Sequence, residues 1–204
     1  MNKAVIAAKV DREVLRQQIQ SKYTDVANEP EMGFHFHTGY ALTQMLGYPS
    51  DAIAQVPSET VASFAGTGNP FSMGQLKPGE VVLDLGCGAG LDTVLAARQV
   101  GSTGHVYAVD MTESMLARTA ATAEAMSLTN VTTRLAFAES LPIEDGSVDV
   151  VISNGVVNLT PDKEAVMREI YRVLKPGGRI QIADIVVHKE VNQSAKDDIN
   201  LWSG

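Results

Sequence analysis

Val81-Val82-Leu83-Asp84-Leu85-Gly86-Cys87-Gly88-Ala89-Gly90 decides the reading of this chain. An apolar run of strand length ends in three glycines at alternate positions. Glycine is needed where the backbone takes positive φ or where a Cβ would collide with a neighbouring molecule. A strand that breaks into such a turn, followed by a helix, is the usual cradle of a nucleotide-like cofactor at the edge of an α/β sheet.

The spacing and one charge narrow the cofactor. Dinucleotide sites read G-x-G-x-x-G and seat a pyrophosphate on the next helix N-terminus. This chain reads G-x-G-x-G and places Asp84 two residues before the first glycine. A carboxylate there repels a pyrophosphate and suits a cofactor with a cationic amino group. S-adenosylmethionine carries one, with a sulfonium and no phosphate. The next strand, His105-Val106-Tyr107-Ala108-Val109, ends at Asp110, some 20 residues beyond Gly90. An acid at that place accepts ribose hydroxyls. A bare GxGxG reads first as a plain strand-to-helix turn; the agreement of Asp84, Asp110 and the downstream pattern turns the reading to the cofactor site.

Bulk properties bound the rest. At 204 residues and 45% apolar content the chain suits one α/β domain with an added N-terminal segment. Net charge is −8 and no stretch gathers Lys and Arg, so nucleic-acid and anionic-membrane binding lack an electrostatic footprint. After Lys3 the apolar run covers only residues 4–8, shorter than a signal-peptide core, and nothing later is long enough to span a membrane. A small-molecule substrate and a cytoplasmic location are therefore expected. The single cysteine, Cys87, excludes an internal disulfide and a thiolate-rich metal site, and reads as a small buried side chain.

From Pro78 onward apolar runs alternate with helical patterns, as in a parallel sheet with crossover helices. Strands are expected at 81–85, 105–109, 131–137, 148–153 and 179–187, and helices at 91–100, 113–126 and 162–174. Thr112 and Thr160 are the expected N-caps, with Pro161 at a first helical position and Lys175-Pro176-Gly177-Gly178 as a stop. The expected fold is a Rossmann-like, doubly wound, mostly parallel sheet with helices on both faces. Right-handed crossovers then bring Asp84, Asp110 and Asn154 to one edge, where ligands bind.

Residues 1–75 form the expected cap and 76–204 the cofactor-binding core. A helix is read over 11–23, and residues 28–69 are punctuated by Gly and Pro. Phe34, Phe36, Tyr40, Phe64 and Phe71, half of the chain's Phe and Tyr, suit either a substrate pocket or the packing of the cap. His35, His37 and Tyr40 are the candidates for a general base if the acceptor needs one. The two histidines share one face of an extended segment, but no third metal ligand is evident, so a polar role is preferred and no metal is expected.

Taken in order, LDLGCGAG, AVDMT, AESLPIEDGSVDVVISN and YRVLKPGGR resemble the class I S-adenosylmethionine-dependent methyltransferases over residues 76–187. ISNGVVNLTPDK and RVLKPGGR are most similar to arsenite methyltransferases. The resemblance implies that Asp84, Gly86, Cys87 and Gly88 line the methionine part and that Asp110 takes the ribose hydroxyls. It implies further that Met111 packs on the adenine, that Ala138 and Glu139 lie beside the adenine edge, and that Asn154 closes the site beneath the sulfonium. Many relatives have an acid where this chain has Phe137, which argues against an exocyclic-amine contact and allows a stacking one.

Two departures qualify the likeness. Arsenite methyltransferases carry cysteine at the position of Gly155, and another beyond a helix end that matches Leu201-Trp202-Ser203-Gly204. Trivalent arsenic is held by thiolates, so arsenite is expected as substrate only in a longer natural chain. The antiparallel hairpin that usually closes this fold is also not found. A bare strand at 179–187 would be prone to pairing, so either the natural chain continues or a second copy forms a homodimer through that edge. Besides methyl transfer to a small molecule, two other readings stand: S-adenosylmethionine binding without transfer, and an NAD-linked oxidoreductase, which Asp84 and the glycine spacing disfavour.

Overall fold

The computed structural model describes residues 11–29, 32 and 36–188. β1 (Val81–Leu85), β2 (His105–Asp110), β3 (Val131–Leu135), β4 (Val148–Asn154) and β5 (Leu174–Ala183) form one sheet. Its order is β3-β2-β1-β4-β5 and every pairing is parallel. The helices are α1 (Arg12–Asn28), α2 (Gly39–Met45), α3 (Ser50–Ile53), α4 (Ser58–Ala62), α5 (Leu91–Val100), α6 (Glu113–Ala125) and α7 (Lys163–Val173). Among the described residues no helix is long and apolar enough to cross a membrane.

Strand alternation sorts the core into two faces. Leu83, Leu85 and Val151 pack with Val166, Ile170 and Val173 of α7. Val82, Val106, Val150 and Ile152 pack with Ala96, Ala97 and Val100 of α5 on the opposite side, so the expected two-faced architecture is present. The central strands are apolar almost throughout because both of their faces are covered. Cys87 is buried beside Ala108 and Leu116 of α6.

The cap residues that follow α1 build their own layer on the outer side of α5. Leu42, Tyr48, Ile53, Val56, Val61 and Phe64 pack on Leu91, Val94 and Leu95. Sandwiched between sheet and cap, α5 is buried nearly all round, and only its polar C-terminal turn reaches solvent. α1 lies elsewhere, with Val26 and Ala27 against Ala89 and Met115 at the mouth of the sheet edge.

Local details depart from expectation in several places. α7 is capped by Asp162, whose carboxylate accepts the Ala165 N–H at 3.0 Å. Thr160 instead donates to the Val157 carbonyl at 2.8 Å and belongs to the preceding turn. A carboxylate adjacent to the first helical residue is the stronger cap for the positive end of the helix. Second, β5 begins to pair at Leu174 and ends at Ala183; residues 175–178 loop out between the pairs Val148 with Leu174 and Val150 with Arg179. Third, α1 runs five residues further than the reading over 11–23, with Asp11 as its cap.

Candidate functional site

The strand order reverses between β1 and β4, and a cavity of about 1040 Å³, its mouth included, opens where the strands end. It is built from the exits of four strands, roofed by α1 and by residues 63–65. Asp84, Gly86, Cys87, Gly88, Asp110, Met111, Ala138, Glu139 and Asn154 all line it. His37 and Tyr40 do not, and both are exposed. His35 and Phe34 lie outside the described residues. Of the remaining cap aromatics, Phe64 reaches the cavity, Phe36 stacks on Tyr23 with ring centroids 6.3 Å apart, and Phe71 joins the core.

The three glycines of the turn do different work. All have positive φ. A Cβ on Gly86 would strike Val156, and one on Gly90 would lie 2.9 Å from Thr119 Oγ1, so packing within the protein requires both. At Gly88, φ is +53° and a Cβ would meet nothing within 4 Å. Its backbone borders open cavity, which is the condition for close approach by a ligand.

The acids gather along the same rim. Asp84 is buried at the end of β1 and accepts a hydrogen bond from Thr93 Oγ1 at 2.5 Å. Asp92, in the first turn of α5, is buried too and accepts from the Tyr48 hydroxyl at 2.8 Å and from Asn154 Nδ2 at 3.1 Å. Burial raises the pKa of Asp84, the nearby Asp92 charge raises it further, and burial also raises Asp92. The cavity wall contains one cationic side chain among the described residues, Arg16. It is engaged elsewhere, with Glu139 at 3.1 Å. Two clustered acids without a basic partner form a receptacle for a positive group.

Asp110, at the end of β2, accepts the Gly88 and Thr112 N–H groups, each at 2.9 Å. Burial raises its pKa against these hydrogen bonds. The Tyr23 phenol, facing the same space from α1, is pushed up to about 12, first by burial and then by Asp110 and Asp184. Burial, Asp110 and Asp84 push the Cys87 thiol upward, which makes it a neutral side chain and a poor nucleophile.

Asn154 spends its amide on the cap. The two Nδ2 hydrogens are shared among the Tyr48 hydroxyl at 3.1 Å, the Gly68 carbonyl at 2.9 Å and Asp92. Oδ1 accepts from the backbone N–H of Thr67 and Gly68 at 2.8 and 3.1 Å. Gly66 lies so close that an added Cβ would be 2.6 Å from the amide. Sequence reading missed Asp92, Tyr48, Tyr23 and Arg16. Asp92 had a weak signal as the one acid in an apolar helix; the others had none.

Fold, glycine turn and ordered acids define a class: an α/β protein with a cofactor cavity of the S-adenosylmethionine-dependent methyltransferase kind. The chain belongs to the methyltransferase domain family, whose profile matches residues 76–203. It is a class I member related to the arsenite methyltransferases. It is 46% identical to the arsenite methyltransferase of Halobacterium salinarum over 144 residues, 71% of this chain and 37% of that protein. With mouse arsenite methyltransferase identity is 29% over 97% of this chain and 54% of the relative. The crystal structure of an arsenic(III) S-adenosylmethionine methyltransferase from Chlamydomonas reinhardtii superposes with a TM-score of 0.67 at 40% identity, covering 72% of this chain and 51% of that one. The chain thus spans about half, or less, of the length of these relatives.

Proposed function

We propose that the chain binds S-adenosylmethionine and passes its methyl group to a small molecule, with residues 76–204 holding the cofactor and residues 1–75 capping the site. The observation that carries this reading is the arrangement of groups along the sheet edge. Paired acids stand at the β1 exit, a third acid at the β2 exit, and open space above Gly88 lies between them. Their sequence suits a ligand with an ammonium at one end and a ribose diol in the middle.

In this reading Asp84 and Asp92 hold the amino group, Gly86, Cys87 and Gly88 give the turn its close approach, and Asp110 takes the ribose hydroxyls. Met111, Ala138 and Glu139 border the purine, and Asn154 keeps the cap closed on the core. When bound, S-adenosylmethionine supplies a methyl group already activated by its sulfonium, so alignment and exclusion of water are the protein's contribution. The acceptor enters on the β4 side, against Phe64, Val156, Leu159 and Pro161. No histidine or lysine lines the cavity among the described residues, which suits an acceptor that is nucleophilic without a protein base. The relatives' arsenic chemistry needs thiolates. Cys87 is the single cysteine here, so arsenite is not the acceptor proposed for this chain.

Titration calorimetry tests the reading. S-adenosylhomocysteine is expected to bind and NAD not to bind, and Asp110→Ala is expected to weaken the former by about tenfold or more, the worth of one charged hydrogen bond. Heat with NAD, or none with S-adenosylhomocysteine, overturns it. Transfer of labelled methyl across a panel of thiol, amine, hydroxyl and arsenite acceptors then separates a transferase from a protein that only binds the cofactor.

A further inference from the structure

The strand order fixes which end of a long ligand lies where. Asp84 leaves β1, Asp110 leaves β2 and residues 136–139 leave β3, three adjacent positions on one sheet edge. On the function proposed above, on which this inference rests, the purine therefore lies at the exit of β3. There the described wall offers Phe137 and Glu139 from the sheet, and Arg16 reaches over from α1.

Arg16 is held on two sides. Its guanidinium carbon stands 4.7 Å from the centroid of the Phe137 ring. One terminal nitrogen donates to Glu139 Oε1 at 3.1 Å. One turn further along α1, Gln20 donates to the Met111 carbonyl at 2.8 Å, which fixes the helix over the cavity. Yet Arg16 Nε is buried and has no hydrogen-bond partner among the described residues. Native structures rarely leave a buried donor unpaired, and a charged one least of all. Arg16 lines the cavity, and a ligand acceptor beside its guanidinium would satisfy this donor.

We propose that Arg16 recognises the purine of the cofactor, offering Nε–H to a ring nitrogen while Phe137 and Glu139 set the plane of the guanidinium. A guanidinium donates and never accepts, so it reads a purine ring nitrogen and leaves the exocyclic amine unread. Discrimination of the base then resides in α1, outside the residues 76–203 that the methyltransferase family matches.

The test measures affinity rather than turnover. S-adenosylhomocysteine and analogues with each purine ring nitrogen replaced in turn by C–H are titrated into wild type, Arg16→Lys and Arg16→Met. Wild type is expected to bind one analogue about tenfold or more weakly than the parent, the effect of a lost charge-assisted hydrogen bond. Both variants are expected to bind the parent weakly by a similar factor and to lose that discrimination, since lysine keeps the charge without an in-plane Nε–H. A residue that only packs α1 in place would weaken all ligands alike. The inference is overturned if wild type treats every analogue as it treats the parent, or if the variants keep its discrimination. Should Arg16→Met fail to melt cooperatively, wild type and Arg16→Lys decide alone. Wild type that ignores S-adenosylhomocysteine altogether overturns the function proposed above; wild type that binds it no more tightly than the Arg16 variants do overturns only this inference.

Discussion

The floor of the cavity takes its shape from short stretches of chain, whereas its roof is tied down across the whole sequence. Asp84 is bonded to Thr93, nine positions on, and Gly88 to Asp110, 22 positions on. In the roof, Arg16 pairs with Glu139 over 123 positions, Gln20 with Met111 over 91, and Tyr48 with Asn154 over 106. The floor is therefore a matter of backbone conformation that any chain with the motif adopts. The roof is a matter of a few polar ties, each dependent on the rest of the fold.

The largest expected effect breaks the floor at one point. Gly88→Val puts a β-branched residue at φ +53°, where strain alone amounts to about 1–2 kcal/mol. Because a Cβ there meets nothing, the ligand-free protein still folds, with a modestly lower melting temperature. The new side chain fills the space above the turn, and S-adenosylhomocysteine affinity is expected to fall by about a hundredfold, close to 3 kcal/mol. Gly86→Ala is the contrast: its Cβ strikes Val156, so its damage appears in the melting curve. Equal affinities of Gly88→Val and wild type would show that the turn borders no ligand.

This contrast also explains what the sequence disclosed. Asp84, the glycines and Asp110 are legible because residue type and spacing are sufficient: a strand end, a turn needing positive φ, and an acid one crossover later. The parallel sheet is legible for the same reason, since strands covered on both faces read as apolar runs. Asp92 was hidden because an acid in a first helical turn already has a reason to be there, the helix dipole. Burial against Asp84 depends on the cap covering α5, which no local pattern announces. The aromatic cap residues looked alike in sequence, yet Phe64 reaches the cavity, Phe71 the core and Tyr40 solvent. Thr160 was the expected cap of α7, and a shift of two residues in register gives that place to Asp162. Arg16 sits in an unremarkable polar helix and acquires its place only when Glu139 folds beneath it.

Cutting the roof should have a smaller effect on affinity and a larger one on stability. Asn154→Ala removes at once the two N–H groups shared among three acceptors and the two hydrogen bonds accepted at Oδ1, and leaves the Tyr48 hydroxyl, Asp92 and the backbone of residues 67–68 short of partners. Loss of a buried network of this kind costs about 3 kcal/mol. For a domain of this size that lowers the melting temperature by roughly 6–12 °C. Native-state hydrogen exchange should locate the loosening in residues 64–68 and spare β1. An unchanged melting curve would mean that the cap is held by its apolar contacts on α5 alone.

The smallest effect concerns protons, and it couples the two walls. Asp84 and Asp92 have pKa values raised above the ordinary aspartate range, by burial first and, at Asp84, by the facing charge of Asp92. A raised acid favours the protonated form in the folded state. Its contribution to the stability of the ligand-free protein is complete below the unfolded value, about 3.9, and is lost as pH rises through the raised folded value. A cationic amino group placed between the two acids favours ionisation, so binding must expel a proton wherever the free pair still holds one. Affinity for S-adenosylhomocysteine should therefore climb with pH through that window, by at most about tenfold per unit for one proton, and level off once the pair is ionised. Calorimetry at pH 6.5 in buffers of differing ionisation enthalpy counts the proton directly. Asp92→Asn removes the facing charge, lowers the Asp84 value and should shrink the count, although Asp92 belongs to the hydrogen-bond network of the roof. A count of zero in wild type would mean that the ammonium lies elsewhere and that the acid pair serves only to anchor Thr93, Tyr48 and the cap.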